Sequence, residues 1–296
     1  MLPTLRQLQY LKLLADHGSF SRAADAAHVT QPTLSAGVQE LEKILGAPVV
    51  DRARAGFILT AVGEEAVRRA GEILAQTQDL VQAAKSAGQP LCGRFRLGVI
   101  PTVAPFLLPR ALPLLRERFP ELRLYLREDL THRLIAALKA GALDAALIAL
   151  PYELSGLESE AVFDDELLVA MPPNHALVAS SQVSPDQLKN EDMILLEDGH
   201  CLREHALSAC GLEAPKAGAD AGFAATSLPT LVQMVGSGLG VTFLPAMAVD
   251  AGLADHAPVA VRHLEKEPRR EIVVCWRAGS SRRAEGRLLA ETLRAG

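Results

Sequence analysis

The chain has 296 residues, 49% of them hydrophobic, and a net charge of −5. That length suits two or three domains, the apolar share excludes a disordered chain, and the negative balance argues against nonspecific attraction to nucleic acid or anionic membrane, so any DNA binding must be local. No apolar run is long enough to span a bilayer, which predicts a cytoplasmic protein without a membrane partner, and thiols there are kept reduced unless a disulfide is transient, catalytic or sensing.

In chain order, "RAADAAHVTQPTLSAGVQELEKILG" predicts a helix from about Ser21 to Ala27, a tight turn at His28 and Val29, and a second helix capped by Thr30. Pro32 falls in the first turn of that second helix, where a missing N–H costs nothing. Ala23, Ala24 and Ala27 leave little bulk on the first helix, so the second crosses it closely, as in a helix-turn-helix. Gln31, Thr33, Ser35 and Gln39 then offer short hydrogen-bonding side chains for base edges, and the helix N-terminus suits a phosphate. "PVVDRARAGFILTAVG" reads as a two-stranded wing whose turn carries Arg52 and Arg54 toward phosphates or a minor groove. An ordinary helical hairpin fits the same pattern, and six Lys and Arg against five Asp and Glu over residues 1–60 do not decide between them.

A long helix is expected from Gly63 to Ala84. Val67, Ala70, Leu74, Thr77, Val81 and Ala84 form a seam at intervals of three and four, widened by Ile73 and Leu80. Such a seam needs a second copy of the chain or packing within its own domain. "KSAGQPLCG" ends the helix and begins a linker. Beyond it, "RFRLGVI", "LRLYLRED", "DAALIAL", "ELLVAMP", "DMILLED", "LGVTFLP" and "REIVVCW" are strand-like runs separated by helical ones, an α/β pattern with mostly parallel sheets and room for two small lobes.

Together these words resemble the LysR-type transcriptional regulators over nearly the whole length. "FSRAADAAHVTQPTLSAGVQELEKILG", "LTAVGEE", "RFRLGVIPTVAPFLLP" and "MVGSGLGVTFLPAMAV" carry the resemblance. It implies a winged helix-turn-helix over residues 1–62, a linker and dimerisation helix over 63–88, and a periplasmic-binding-protein-like regulatory domain over 91–296. The lobes would be about 91–163 with 269–296, and about 164–268, the chain crossing near Asp164 and returning near Pro268. One departure is in the wing, where the family's second basic residue is replaced by Ala55 and Arg54 stands one position earlier. Within the family, "LLEDGHCLREHALSAC", "LTHRLIAAL" and "EPRREIVV" are similar to the members that sense hydrogen peroxide. The resemblance therefore implies an activator of oxidative-stress genes, with promoter DNA and RNA polymerase as partners, a homotetramer, and no cofactor.

Only a thiolate attacks peroxide, and a free thiol's pKa is near 8.5, so a sensor must lower it and admit a small neutral oxidant. Asp198 and Gly199 read as helix-start residues, which puts Cys201 in a first turn near the positive end of the peptide dipoles. Sulfenic acid formed there condenses with a second thiol, for which Cys210 is the candidate. If residues 201–210 are helical, their Cα atoms stand about 13–14 Å apart, whereas a disulfide needs about 4.4–6.8 Å, so the segment must unwind. By resemblance Thr102 and Thr131, with His200, bind the peroxide and protonate the departing hydroxide, while Arg270, in preference to Arg269, steadies the thiolate. Read alone, Thr102 is a helix N-cap.

Three other readings remain at this point. Cys201 and His205 share a helical face, with His200 and Cys210 near, which is conceivable for zinc although the spacing matches no strong signature. The usual regulator of the family binds an organic acid between its lobes, with Thr102 on a carboxylate. "GSGLG" at Gly236–Gly240 follows a helix rather than a strand, so it lacks the context of a dinucleotide fingerprint, and no enzyme is expected. Cys92 and Cys275 read as buried small hydrophobes.

Overall fold

The computed structural model describes residues 1–51, 57–85, 90–211 and 224–295. Two compact units emerge, Met1–Ala87 with Lys139–Ala142, and Gly88–Leu138 with Leu143–Gly296.

In the N-terminal unit, α1 (Leu5–His17), α2 (Phe20–Ala26) and α3 (Gln31–Leu45) pack around Leu11, Leu14, Leu34, Val38 and Leu41, with Ala23 and Ala24 buried between them. Small residues set the spacing here: a Cβ added to Gly37 would lie 2.6 Å from the Tyr10 ring. The turn after α2 holds His28 at φ 55, a left-handed conformation that few side chains adopt. Thr30 caps α3 as expected, its hydroxyl accepting from Thr33 N–H at 3.4 Å. The arms of the wing meet at the Val50–Leu59 antiparallel bridge. Its turn, with Arg52 and Arg54, lies outside the described residues.

Helix α4 (Ala61–Lys85) divides the seam. Ala70 is buried and Val67 and Leu74 pack on the core of the N-terminal unit, whereas Ile73, Leu80 and Val81 are exposed, Leu80 at 72%. The first half of the seam is thus used within its own unit. Residues 86–88 of the expected helix lie outside the described set.

The C-terminal unit begins with β1 (Gly93–Val99), α5 (Ala104–Arg118), β2 (Leu122–Glu128), α6 (Thr131–Lys139) and β3 (Ala145–Leu150), and β2, β1 and β3 lie side by side in parallel. Then come β4 (Leu157–Met171), β5 (Gln182–Val183), α7 (Pro185–Leu188), β6 (Leu195–Leu196), α8 (Cys201–Cys210), β7 (Ala224–Ala225), α9 (Leu228–Gly236), β8 (Thr242–Pro245) and α10 (Ala246–Asp250). The chain closes with β9 (Ala260–Leu264), β10 (Arg269–Arg277) and α11 (Arg283–Arg294). Among the described residues β2, β1, β3, β10, β4, β9 and β5 are neighbours in that order, with β8 also on β4.

The sheet is mixed rather than mostly parallel, because β4 and β10 run antiparallel to each other and β10 antiparallel to β3. Strand β4 changes partners along its length: Leu157–Glu166 pairs with β10, and Leu167–Met171 with β8 and β9. Leu167 N–H donates to the Pro268 carbonyl at 2.8 Å where β10 begins. The start of the unit is fastened by buried charge: Glu285 accepts from Leu91 N–H and pairs with Arg282 at 2.6 Å, while Asp144 pairs with Arg96 at 2.8 Å. Cys275 is fully buried and Cys92 only half-buried. Of the "GSGLG" glycines, Gly236 ends α9, and Gly240, at φ 151, passes so close to the Asp192 carbonyl that a Cβ would clash at 2.1 Å.

Candidate functional site

The three parallel strands end on one side of the sheet, the usual place for ligands in such sheets, and the segments that follow them carry the candidate residues. Thr102 follows β1, Thr131 opens α6 after β2, and Pro151 and Tyr152 follow β3. Thr102 is not the cap of α5; that position belongs to Val103, which has no side-chain cap bond. Its hydroxyl accepts instead from Arg270 Nη1 at 2.8 Å, and its carbonyl from Nη2 at 3.1 Å. Because the Thr102 oxygen receives a proton from the guanidinium, its own proton is free to be donated outward. The Thr131 hydroxyl is buried and has no hydrogen-bond partner.

Arg270 is placed by register. It sits opposite Asp165 in the β4–β10 ladder, and its Nε and Nη2 reach Asp165 Oδ2 at 3.0 and 2.9 Å with both side chains essentially fully buried. Asp165 Oδ1 also accepts from Met247 N–H, in the first turn of α10, at 3.0 Å. One pair therefore ties together the segment after β1, the strand β4 and the helix α10. Arg269, its neighbour, is half-exposed and faces Glu267 at 3.3 Å.

Helix α8 supplies the thiols. Cys201 is its first residue and is 7% exposed, so the sulfur lies at the end where backbone N–H groups lack partners. The cap is His200, without a side-chain bond, rather than Asp198 or Gly199. Gly199 stands at φ 95 just outside the helix, and a Cβ there would lie 3.2 Å from Leu130 and 3.6 Å from the His132 ring, so the start of α8 adjoins the start of α6. Asp198 is 94% exposed and faces Arg203 at 3.3 Å; Arg203 also donates to the Leu196 carbonyl at 3.2 Å. Burial lowers the pKa of His200 against the opposing pull of Glu197. Cys210 closes the helix, with Gly211 in the left-handed cap position beyond it.

The sequence pattern did not mark Asp165, Pro151 or Tyr152, each of which reaches the site from a segment remote from α8. His205 lies one turn past Cys201 and is 7% exposed. Its Nε2 is 3.0 Å from the Pro151 carbonyl. Among the described residues no three His, Cys, Asp or Glu side chains group as metal ligands. No helix among them is long and apolar enough to cross a membrane.

On α3, Gln31, Pro32, Thr33 and Gln39 are exposed and Ser35 is half-buried. The Thr33 hydroxyl bonds with that of Thr30 at 2.8 Å.

Residues 5–64 match the bacterial regulatory helix-turn-helix protein, lysR family, and residues 88–296 match the LysR substrate binding domain. The chain is 40% identical over 293 residues to the DNA-binding transcriptional dual regulator OxyR of Escherichia coli K12, covering 98% of this chain and 95% of that protein. It is similar in structure to full-length OxyR from Pseudomonas aeruginosa carrying a cysteine-to-aspartate change, with TM-score 0.79, 35% identity, and 99% and 98% of the two chains covered. A cysteine-to-serine OxyR mutant of Corynebacterium glutamicum with hydrogen peroxide bound matches at TM-score 0.68 and 31% identity, covering 100% and 92%.

Proposed function

The chain belongs to the LysR family of helix-turn-helix regulators, and from that premise we propose that it senses hydrogen peroxide through Cys201 and alters transcription at promoter DNA. The observation that carries this reading is the placement of two cysteines at opposite ends of one ten-residue helix. About 13–14 Å of helix separates their Cα atoms, against the 4.4–6.8 Å a disulfide tolerates, so a Cys201–Cys210 bridge exists only if α8 is undone. Oxidation thus trades a packed helix for a bridged loop.

The contacts support the following roles. Thr102 offers its free hydroxyl proton and Thr131 its unpartnered hydroxyl to the peroxide, and His200, the cap of α8, joins them. Arg270 has four of its five N–H groups engaged with Asp165 and Thr102 and keeps one Nη1 proton for the thiolate. Gln31, Pro32, Thr33, Ser35 and Gln39 face the major groove, and Arg52 and Arg54 contact the backbone from the wing. The exposed Ile73, Leu80 and Val81 on α4 support a dimer through that helix, within a homotetramer that engages RNA polymerase in the cytoplasm. We take the lobe boundary to fall where β4 changes partners at Glu166 and Leu167. On this reading the chain is a regulator and not an enzyme, since the oxidised group is its own side chain.

Reduced protein treated with one equivalent of peroxide, blocked at its remaining thiols and mapped by mass spectrometry gives a rapid Cys201–Cys210 linkage. Slow oxidation spread over all four cysteines overturns the peroxide reading and returns the chain to the effector-binding form of its family.

A further inference from the structure

His205 is a buried ionisable side chain that the roles above leave unused. It stands four residues after Cys201 on α8, so the two side chains leave the same helix face with Cβ atoms about 5–6 Å apart. Its Nε2 faces the Pro151 carbonyl at 3.0 Å, and a carbonyl only accepts, so Nε2 carries the ring proton and donates it. In the neutral ring Nδ1 is then a bare acceptor. That atom is buried and has no partner, a condition folds retain rarely and for cause.

The surroundings favour the neutral form of the ring. Burial first, and then the Arg270 guanidinium from β10, lower its pKa; the bond to Pro151 and the Glu204 carboxylate on its own helix pull the other way. Arg270 is itself paired with Asp165 of β4, His132 of α6 lies beside the head of α8, and the Tyr152 phenol beside Pro151 feels both Cys201 and Glu204. A second orphan, the Thr131 hydroxyl, sits where α6 adjoins the head of α8. Two buried polar atoms without partners, His205 Nδ1 on the helix that Cys201 opens and the Thr131 hydroxyl at the head of α6, are thus left for a small hydrogen-bonding molecule.

We propose that His205 Nδ1 accepts the O–H of hydrogen peroxide and positions the oxidant against Cys201. The proposal rests on the peroxide reading above. The thiolate attacks the nearer oxygen, an S–O bond forms, and the O–O bond breaks with its electron pair on the departing hydroxide. Sulfur loses two electrons and the peroxide gains them. The attacked oxygen keeps its hydrogen, which is the one Nδ1 holds, and becomes the sulfenic hydroxyl. The hydroxide takes up one proton, matching the one Cys201 sheds on ionising, and leaves as water. Protonation of Nδ1 replaces the acceptor by a donor and disorients the peroxide, so His205 adds an acid limb to the reaction that is separate from ionisation of the thiol.

The test uses the full-length protein. The second-order rate of Cys201 oxidation by hydrogen peroxide is measured from pH 5 to 8 beside its alkylation by iodoacetamide, which follows the thiolate but needs no peroxide acceptor. In the parent protein the ratio of the two rates falls with acid. His205→Gln, whose carboxamide oxygen accepts at every pH, stays within a few-fold at neutral pH and flattens the ratio. His205→Leu lowers peroxide reactivity about tenfold, the scale of one buried hydrogen bond, with alkylation unchanged. Should Leu reduce folding, the flattening in the Gln variant decides alone. A pH-independent ratio in the parent, or a Leu variant with the parental ratio, overturns the role of His205 while leaving the peroxide reading intact. Failure of Cys201 to react selectively in the parent protein removes that reading itself.

Discussion

Replacing Asp165 by Asn isolates the clasp between β4 and β10. The change preserves shape, and its carboxamide oxygen can still accept from Met247 N–H, but it removes the only charge that Arg270 contacts within hydrogen-bonding distance among the described residues. The Arg270 side chain is 0% exposed and that of Asp165 1%, so water cannot screen the orphaned guanidinium. Removing one partner of such a pair costs about 3–5 kcal/mol, and the two neutral oxygens of Thr102 that remain bound to Arg270 point to the lower end. Urea unfolding followed by fluorescence reads this cleanly. The chain has one tryptophan, Trp276, buried in β10 itself, so the signal reports the C-terminal unit. The midpoint should fall by about 3 kcal/mol divided by the urea slope. A double change of Asp165→Leu and Arg270→Met should recover most of that loss, since an apolar pair of similar volume incurs no charge-burial penalty. A loss under about 1 kcal/mol for Asn refutes the reasoning, because the pair would then be solvated in a way its burial denies.

Thr30→Ala removes the cap of α3 and should destabilise the N-terminal unit by about 1 kcal/mol, with Thr30→Ser restoring it; thermal melting by circular dichroism checks both. His200 and His205 are each held below the ordinary histidine range by burial. As pH drops below about 6.5 the unfolded chain takes up protons before the folded one, so stability present above that value is lost as pH falls through the folded pKa values; the Trp276 urea midpoint should be lower at pH 5.5 than at 7.5, and His205→Gln should narrow the gap. Burial pushes the Cys275 thiol up to about 12, so native protein at pH 8 should alkylate there far more slowly than at Cys201, as peptide mapping will read.

Local chemistry made the N-terminal unit legible: Thr30, Pro32 and the small Ala23 and Ala24 each dictate a backbone state within a few residues. The seam of α4 was half legible, because a spacing of three and four marks an apolar face without saying what covers it; Val67, Ala70 and Leu74 meet their own unit. Strand β4 was found only in its second half. Residues 157–166 carry acids and form no long apolar run, but Glu158 faces Arg283 at 3.0 Å and Glu160 faces Arg294 at 2.7 Å, so their partners arrive from α11 more than a hundred residues on. The same remoteness hid Asp165 behind Arg270 and Pro151 behind His205. Sequence spacing put His205 on the face of Cys201, but only the fold shows which nitrogen is occupied and which is bare.

On the proposed reading, undoing α8 sets the redox poise of the cysteine pair. Leu202, Ala206 and Leu207 are buried in its packed face, and a bridged loop must withdraw them. At about 1.5–3 kcal/mol for each leucine, the folded helix resists the disulfide by about 4 kcal/mol. For a two-electron couple that raises the potential by about 90 mV over a disulfide formed without disruption, which favours reduction by cellular thiols and so resets the sensor. Leu202→Ala removes about 2 kcal/mol of that resistance and should make the couple about 40 mV more reducing. Equilibrating the full-length protein in graded glutathione buffers and counting the Cys201–Cys210 linkage by mass spectrometry measures the shift. An unchanged potential would mean that Leu202 keeps its packing in the oxidised state, and the helix would not be the element that oxidation undoes.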